Sequence, residues 1–160
     1  MDVIFAIGII VVGLMAVVGL LWYVLIASRL SNDKFTAVNL AQEGVEIVRA
    51  IRDTNWVANP PRPWNEGLNP FAATAYEAQY DSDQLAPYSG NPLKIDGNGY
   101  YRYNGTGQPS KFTRRIIIMP NVDNSVPVGE SLGVVSEVTW QGFGGSHSII
   151  IEDRLYNWQY

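Results

Sequence analysis

VIFAIGIIVVGLMAVVGLLWYVLIAS, residues Val3 to Ser28, carries no charge and no proline. At ~1.5 Å rise per residue, a helix of this length crosses the roughly 30 Å hydrocarbon core of a bilayer. The run is apolar on every side, so it has no single buried stripe and needs cover all round. Downstream the pattern changes. From Asn32 to Arg52, Phe35, Val38, Ala41, Val45, Val48 and Ile51 recur at three- and four-residue steps, the mark of an amphipathic helix. Glu46–Arg49 and Arg49–Asp53 fall at spacings where opposite charges meet on a helix surface. The sequence predicts one helix of about 50 residues, apolar at its start and half-buried at its end. Asn59-Pro60-Pro61-Arg62-Pro63 cannot continue it, so it ends near Asp53–Trp56.

Within the helix, Gly8, Gly13 and Gly19 each cost roughly 1 kcal/mol against Ala. Small residues let helices approach closely, which implies helix neighbours. Ser31-Asn32-Asp33 compete for backbone hydrogen bonds, so a bend or a fresh N-cap is expected there. Asp2 at the edge of the apolar run needs a partner, solvent or the interface. Two readings stand: an acid placed at the interface or favoured by the helix dipole, or a carboxylate that neutralises a cation inside an assembly.

The chain has 160 residues and a net charge of −4, without the clustered Lys and Arg that phosphate contacts need. Direct nucleic-acid binding is not expected. Cysteine is absent, so a domain outside the cell does without disulfides. The apolar run exceeds the roughly 7–15 residues of a secretory signal's apolar core and lacks a basic start and a small-residue cleavage site. A retained anchor is expected, with any basic leader upstream of Met1. Arg29 and Lys34 are the nearby cations and both follow the run, which leaves orientation open.

Three segments are expected: 1–30 as membrane or filament-core helix, 31–54 as its amphipathic half, and 55–160 as an antiparallel sheet domain. In the last, Val57 to Thr74 reads as an irregular connection. Tyr76, Ala78 and Tyr80 alternate with polar residues as a strand. Leu93–Ile95 and Tyr100–Tyr103 flank Asp96-Gly97-Asn98-Gly99, a hairpin turn signal. Asn104 to Ser110 is a further turn, and Lys111–Met119 a strand. Pro120 to Ser131 is a loop, followed by Leu132–Gln141 and Ser148–Leu155 as a hairpin across Gly142–Gly145. The fold class is α+β, a long N-terminal helix laying Val38, Val45, Val48 and Ile51 on a C-terminal antiparallel sheet.

Catalytic signals are absent. His147, the one histidine, reads as a solvent-facing loop residue, and without cysteine it makes no zinc spacing. Asp96 opens like a calcium loop, but its twelfth position is Gly107 where a bidentate Glu is required, so a plain turn is preferred. Gly142–Gly145 has no following Lys to cradle phosphate. No enzyme activity, cofactor or metal is expected.

At this point a resemblance enters. MDVIFAIGIIVVGLMAV (1–17) resembles the N-terminal helix of bacterial type IV pilins, beginning a few residues inside the mature chain. In that family a leader ends in glycine, and the mature protein opens with a methylated phenylalanine and a Thr-Leu-hydrophobic-Glu stretch. Met1-Asp2 fall on the last two of those positions, with Asp for Glu. LAQEGVEIVRAIRDTNW (Leu40–Trp56) is similar to the helix end of minor pilins, and FTRRIIIM, VVSEVTWQG and IIIEDRLYNW to their closing strands. The disulfide of many major pilins has no counterpart here. The resemblance implies a structural subunit of a helical surface filament, serving adhesion, motility or DNA uptake. It would be drawn from an inner-membrane pool by pilus assembly machinery after a prepilin peptidase. Asp2 would pair with a neighbour's N-terminal amine, and Val3, Ile7, Gly8, Gly13, Leu14, Gly19 and Leu20 would pack in the filament core. A secretion-system pseudopilin and a non-polymerising, membrane-anchored binding domain are the alternatives.

Overall fold

The computed structural model describes residues 2–68 and 75–158. A single helix, α1 (Asp2–Val57), runs unbroken through Ser31-Asn32-Asp33, so the fresh N-cap weighed there does not form. The Thr36 hydroxyl donates to the Asn32 carbonyl at 3.0 Å, a local bond made inside the helix rather than against it. Two residues before Pro60, the helical hydrogen bonds end. Asn55 then ties down the chain beyond them, its side-chain amide donating to the carbonyls of Trp64 (3.2 Å) and Glu66 (2.7 Å).

Eight strands follow: β1 (Tyr76–Glu77), β2 (Ala86–Pro87), β3 (Lys94–Ile95), β4 (Tyr101–Arg102), β5 (Gln108–Pro109), β6 (Phe112–Pro120), β7 (Ser131–Gly142) and β8 (Gly145–Tyr156). They form a five-stranded antiparallel sheet in the order β2-β1-β6-β7-β8 and a three-stranded one in the order β4-β3-β5. The α+β class expected from the sequence is the one observed. The long closing strands sit where alternation puts them, and β3 and β4 flank the expected Asp96–Gly99 turn.

Two local expectations are corrected. The strand at Tyr76 does not reach Tyr80, because the Gln79 amide donates to the Ser82 hydroxyl at 3.0 Å and its carbonyl accepts from the Ser82 amide at 2.9 Å. Asp81-Ser82-Asp83 thus folds into a turn. The expected turn at Asn104–Ser110 contains β5, paired with β3. A Cβ at Gly107 would lie 2.7 Å from the Ile95 carbonyl, so glycine permits that approach. Of the irregular connection, residues 69–74 lie outside the described residues, while Trp64 and Leu68 before them are buried.

Helix and sheet meet along Ala37, Leu40, Ala41, Gly44, Val45, Ile47, Val48, Ile51, Arg52 and Asn55. Val38 is half-buried, and Phe35 is 69 % exposed. At about 100° per residue Phe35 points almost opposite Ala37 and Gly44, so its three-residue step to Val38 was a false member of the stripe. The Arg49 side chain also departs from expectation. It bonds Glu46 (2.5 Å) as predicted, but its second amine goes to Asp153 on β8 (2.6 Å), and Asp53 pairs with Arg52 instead (2.8 Å). The Asp153 carboxylate, ahead of the other influences, raises the Arg49 pKa above its ordinary value.

Two apolar clusters result. One gathers Val45, Val48 and Ile51 with Tyr76, Ile116, Val134 and Leu155; the other gathers Ala37, Leu40 and Ala41 with Leu93, Phe112, Val138 and Trp140. Between them lies a polar seam. Arg114, fully buried on the inward side of β6, donates to the carbonyls of Leu40 (2.9 Å) and Ala78 (2.6 Å), and its guanidinium is 3.2 Å from Glu43. Tyr103 donates to the Arg114 carbonyl, and burial pushes its phenol up to about 12. Gly44 faces Ser136 here, where a Cβ would lie 2.3 Å from the hydroxyl oxygen.

Far from this seam, Asp123 closes the β6–β7 loop. It accepts from the Ser125 hydroxyl (2.6 Å) and amide (2.8 Å) and from the Tyr156 hydroxyl (2.8 Å), which together hold its carboxyl down to about 2.

Two measurements probe these contacts. Gly44→Ala gains about 1 kcal/mol of helix propensity but overpacks a site where such insertions cost about 1–3 kcal/mol. Denaturant unfolding of the full chain in detergent is expected to show a net loss, reduced when Ser136→Ala removes the opposing oxygen. Asp123 has a folded pKa below its unfolded value near 3.9. Its contribution is present above about pH 4 and lost as pH falls toward about 2. Over that window Asp123→Asn is expected to flatten the pH dependence of the unfolding midpoint.

Candidate functional site

The part of the molecule with no internal explanation is the first half of α1. Its large apolar side chains from Val3 to Leu25 are 43–76 % exposed. Val3, Ile7, Leu14 and Leu20, which the sequence places in packing, meet no other element of the chain, and Gly8, Gly13 and Gly19 have nothing within 4 Å of a built Cβ. Asp2 occupies the first turn, exposed, where the helix dipole favours an acid. The fold therefore aligns these residues on one rod but brings none of them together. By length and composition this helix is able to cross a membrane.

Cover begins at Ile26, the first half-buried residue among those described. There the β7–β8 turn reaches the helix. Ile26, Arg29, Leu30, Asn32, Asp33, Lys111, Gly142 and Phe143 line a groove of about 410 Å³. Lys111, just before β6, is 2.5 Å from Asp33, a pair that ties the sheet to the helix as it leaves the domain. Phe143 at the tip of the turn remains 72 % exposed.

The groups weighed for chemistry are engaged in structure. His147 is a half-buried residue of β8 rather than a solvent-facing loop residue. Its ring stacks on Trp140 with centroids 5.4 Å apart, and Nε2 lies 3.1 Å from the Phe143 carbonyl. The Asp96 carboxylate accepts from the amides of Tyr100 (3.0 Å) and Asn98 (2.8 Å), which lower its pKa, and its other oxygen is 3.5 Å from Arg102. It closes its own turn. Among the described residues no group of three His, Asp or Glu gathers as metal ligands.

Sequence reasoning missed the Arg114 seam and the hairpin's reach to Ile26. The first had a signal: Phe112, Arg114, Ile116 and Ile118 share one parity, so a charge stands at a core position of the strand. The second had none, because it depends on how far the β7–β8 hairpin extends relative to the helix.

These features define a class: an α+β protein whose sheet domain is carried on a helix able to enter a membrane. No family model matches the chain, and neither a curated protein nor a solved structure matches it.

The separation of the two helix halves is testable. A chain starting at Ser31 keeps both apolar clusters and the Asp33–Lys111 pair. It is expected to fold as a soluble monomer, with a stability within about 0.5 kcal/mol of the full chain in detergent, as for changes remote from the core. Sedimentation and urea unfolding check this.

Proposed function

We propose that this chain is a structural subunit of a type IV pilus-like helical surface filament, held in the inner membrane by its N-terminal helix before assembly. The observation that carries the reading is the all-round apolar surface from Val3 to Leu25, uncovered by the domain. Burying each such side chain is worth about 1.5–3 kcal/mol, so water is excluded as the resting environment of this segment. Lipid satisfies it in one state, and the same segment of other copies satisfies it in another. A contact between unlike surfaces that does not close on itself propagates as an open helix of subunits. The resemblance at residues 1–17, at Leu40–Trp56 and in the closing strands supports the same reading. Within it, Asp2 neutralises a neighbour's terminal amine in the apolar filament core, and the sheet domains form the outside. The partners are copies of this chain, the membrane, a prepilin peptidase and the assembly machinery.

Asp2→Ala tests it. Leaving a charge unpaired in an apolar bundle costs about 3 kcal/mol or more, so incorporation into filaments is expected to fall by about a hundredfold at 1.4 kcal/mol per tenfold. The protein should remain in the membrane fraction at normal abundance. Undiminished surface assembly, or mass spectrometry showing an unprocessed, unmethylated terminus on the native cell, would leave a membrane-anchored binding domain that does not polymerise.

A further inference from the structure

The β7–β8 turn presents an exposed phenylalanine beside the last turn of the apolar run, and the position of that turn along the helix is informative. A hydrocarbon core of roughly 30 Å takes about 20 residues of an upright helix, which counted from Val3 ends at Trp22. Trp22 and Tyr23 are the residue types that gather at membrane interfaces, and both are exposed. Ile26 then lies about 6 Å further out, within the roughly 5–7 Å of headgroup layer on each side. Gly142 and Phe143 line one groove with Ile26, Arg29 and Leu30. The tip of the hairpin therefore stands level with the headgroups whenever α1 spans.

The chemistry of this level fits that layer. Phe143 is 72 % exposed and flanked by Gly142, Gly144 and Gly145. Arg29 lines the same groove, about 4.5 Å beyond Ile26 along the axis and with a side chain long enough to reach back to that level, whereas Lys34 lies roughly 12 Å beyond Ile26. Neither makes an ion pair among the described residues, whereas Lys111 is held by Asp33. Three cations against one carboxylate leave this end of the domain positive, although the whole chain is at −4. An anionic membrane surface attracts such cations within a Debye length.

We propose that the β7–β8 turn is a membrane-surface contact. Phe143 seats in the headgroup layer of the bilayer that α1 crosses, and Arg29 engages an anionic lipid phosphate beside it. The groove between helix and turn holds a headgroup, and the contact fixes the height and rotation of the sheet domain over the membrane. The inference rests on α1 spanning a bilayer and does not require polymerisation.

The absence of cysteine makes a clean test, since each introduced thiol carries the only probe. Phe143→Cys, Leu14→Cys and Val128→Cys, each labelled with a small fluorophore, are reconstituted as full chains in phosphatidylcholine–phosphatidylglycerol vesicles at low protein density. Val128 is 86 % exposed in the β6–β7 loop, one length of β7 or roughly 36 Å away. Lipids spin-labelled at the headgroup should quench the Phe143 probe several-fold more than mid-chain labels do. Leu14 should show the reverse, and Val128 neither. Arg29→Gln should reduce headgroup quenching at Phe143 in anionic vesicles and leave Leu14 unchanged. Quenching at Leu14 but not at Phe143 overturns the seating while the span stands; quenching at neither overturns both. Shielding of Phe143 that grows with protein density and ignores lipid labels assigns the surface to a second copy and also overturns the proposal.

Discussion

One constraint shapes the molecule: a helix that is apolar all round cannot be satisfied by a domain that touches one stripe of it. From Asp33 to Val57 the helix has a polar back, and a single sheet face suffices. Before Ile26 it has none, and nothing among the described residues supplies cover. The two halves obey different rules while sharing one unbroken backbone. Continuity matters because it transmits position: wherever the apolar half is held, the sheet domain follows rigidly.

The join between helix and sheet is not simply greasy. Gly44 removes the side chain where β7 comes nearest, and Arg114 fills the space alongside with a planar fork that reaches a helix carbonyl, a loop carbonyl and Glu43. An apolar residue of similar size would bury area without choosing a register. A guanidinium with several required acceptors sets one alignment along the helix and one for the Ala78 segment. The seam splits the core into two clusters and ties both to the same turn of α1.

Much of this was legible in the sequence, and the limits were physical. The helix and its end came from absent charge, periodicity and the Pro60–Pro63 cluster. The closing strands came from alternation, because one face is buried and the other is not. Phe35 was misread because single apolar residues at a three-residue step are ambiguous until the stripe's centre is known. Arg49 was assigned to Asp53 because local spacing was visible and Asp153, a hundred residues on, was not. β5 escaped because glycine and proline mark turns and close approaches alike. Of the candidate site, the residue types and their order along the rod could be read, but what covers them lies in other molecules.

The Arg49–Asp153 link has a consequence for folding in crowds. β8 is the outermost of the long strands, twelve residues with a free hydrogen-bonding edge. Chains held upright in a membrane would present such edges to one another in common orientation and at high local density, conditions that favour sheets fusing edge to edge. Asp153 is a charge on the inward parity of that edge strand, and among the described residues its one ion pair is with Arg49 of its own helix. A β8 that slips by one residue takes this carboxylate away from Arg49 and turns Ile149 and Ile151 outward. The pair that fastens the helix to the sheet is therefore also a guard on the register of the edge strand.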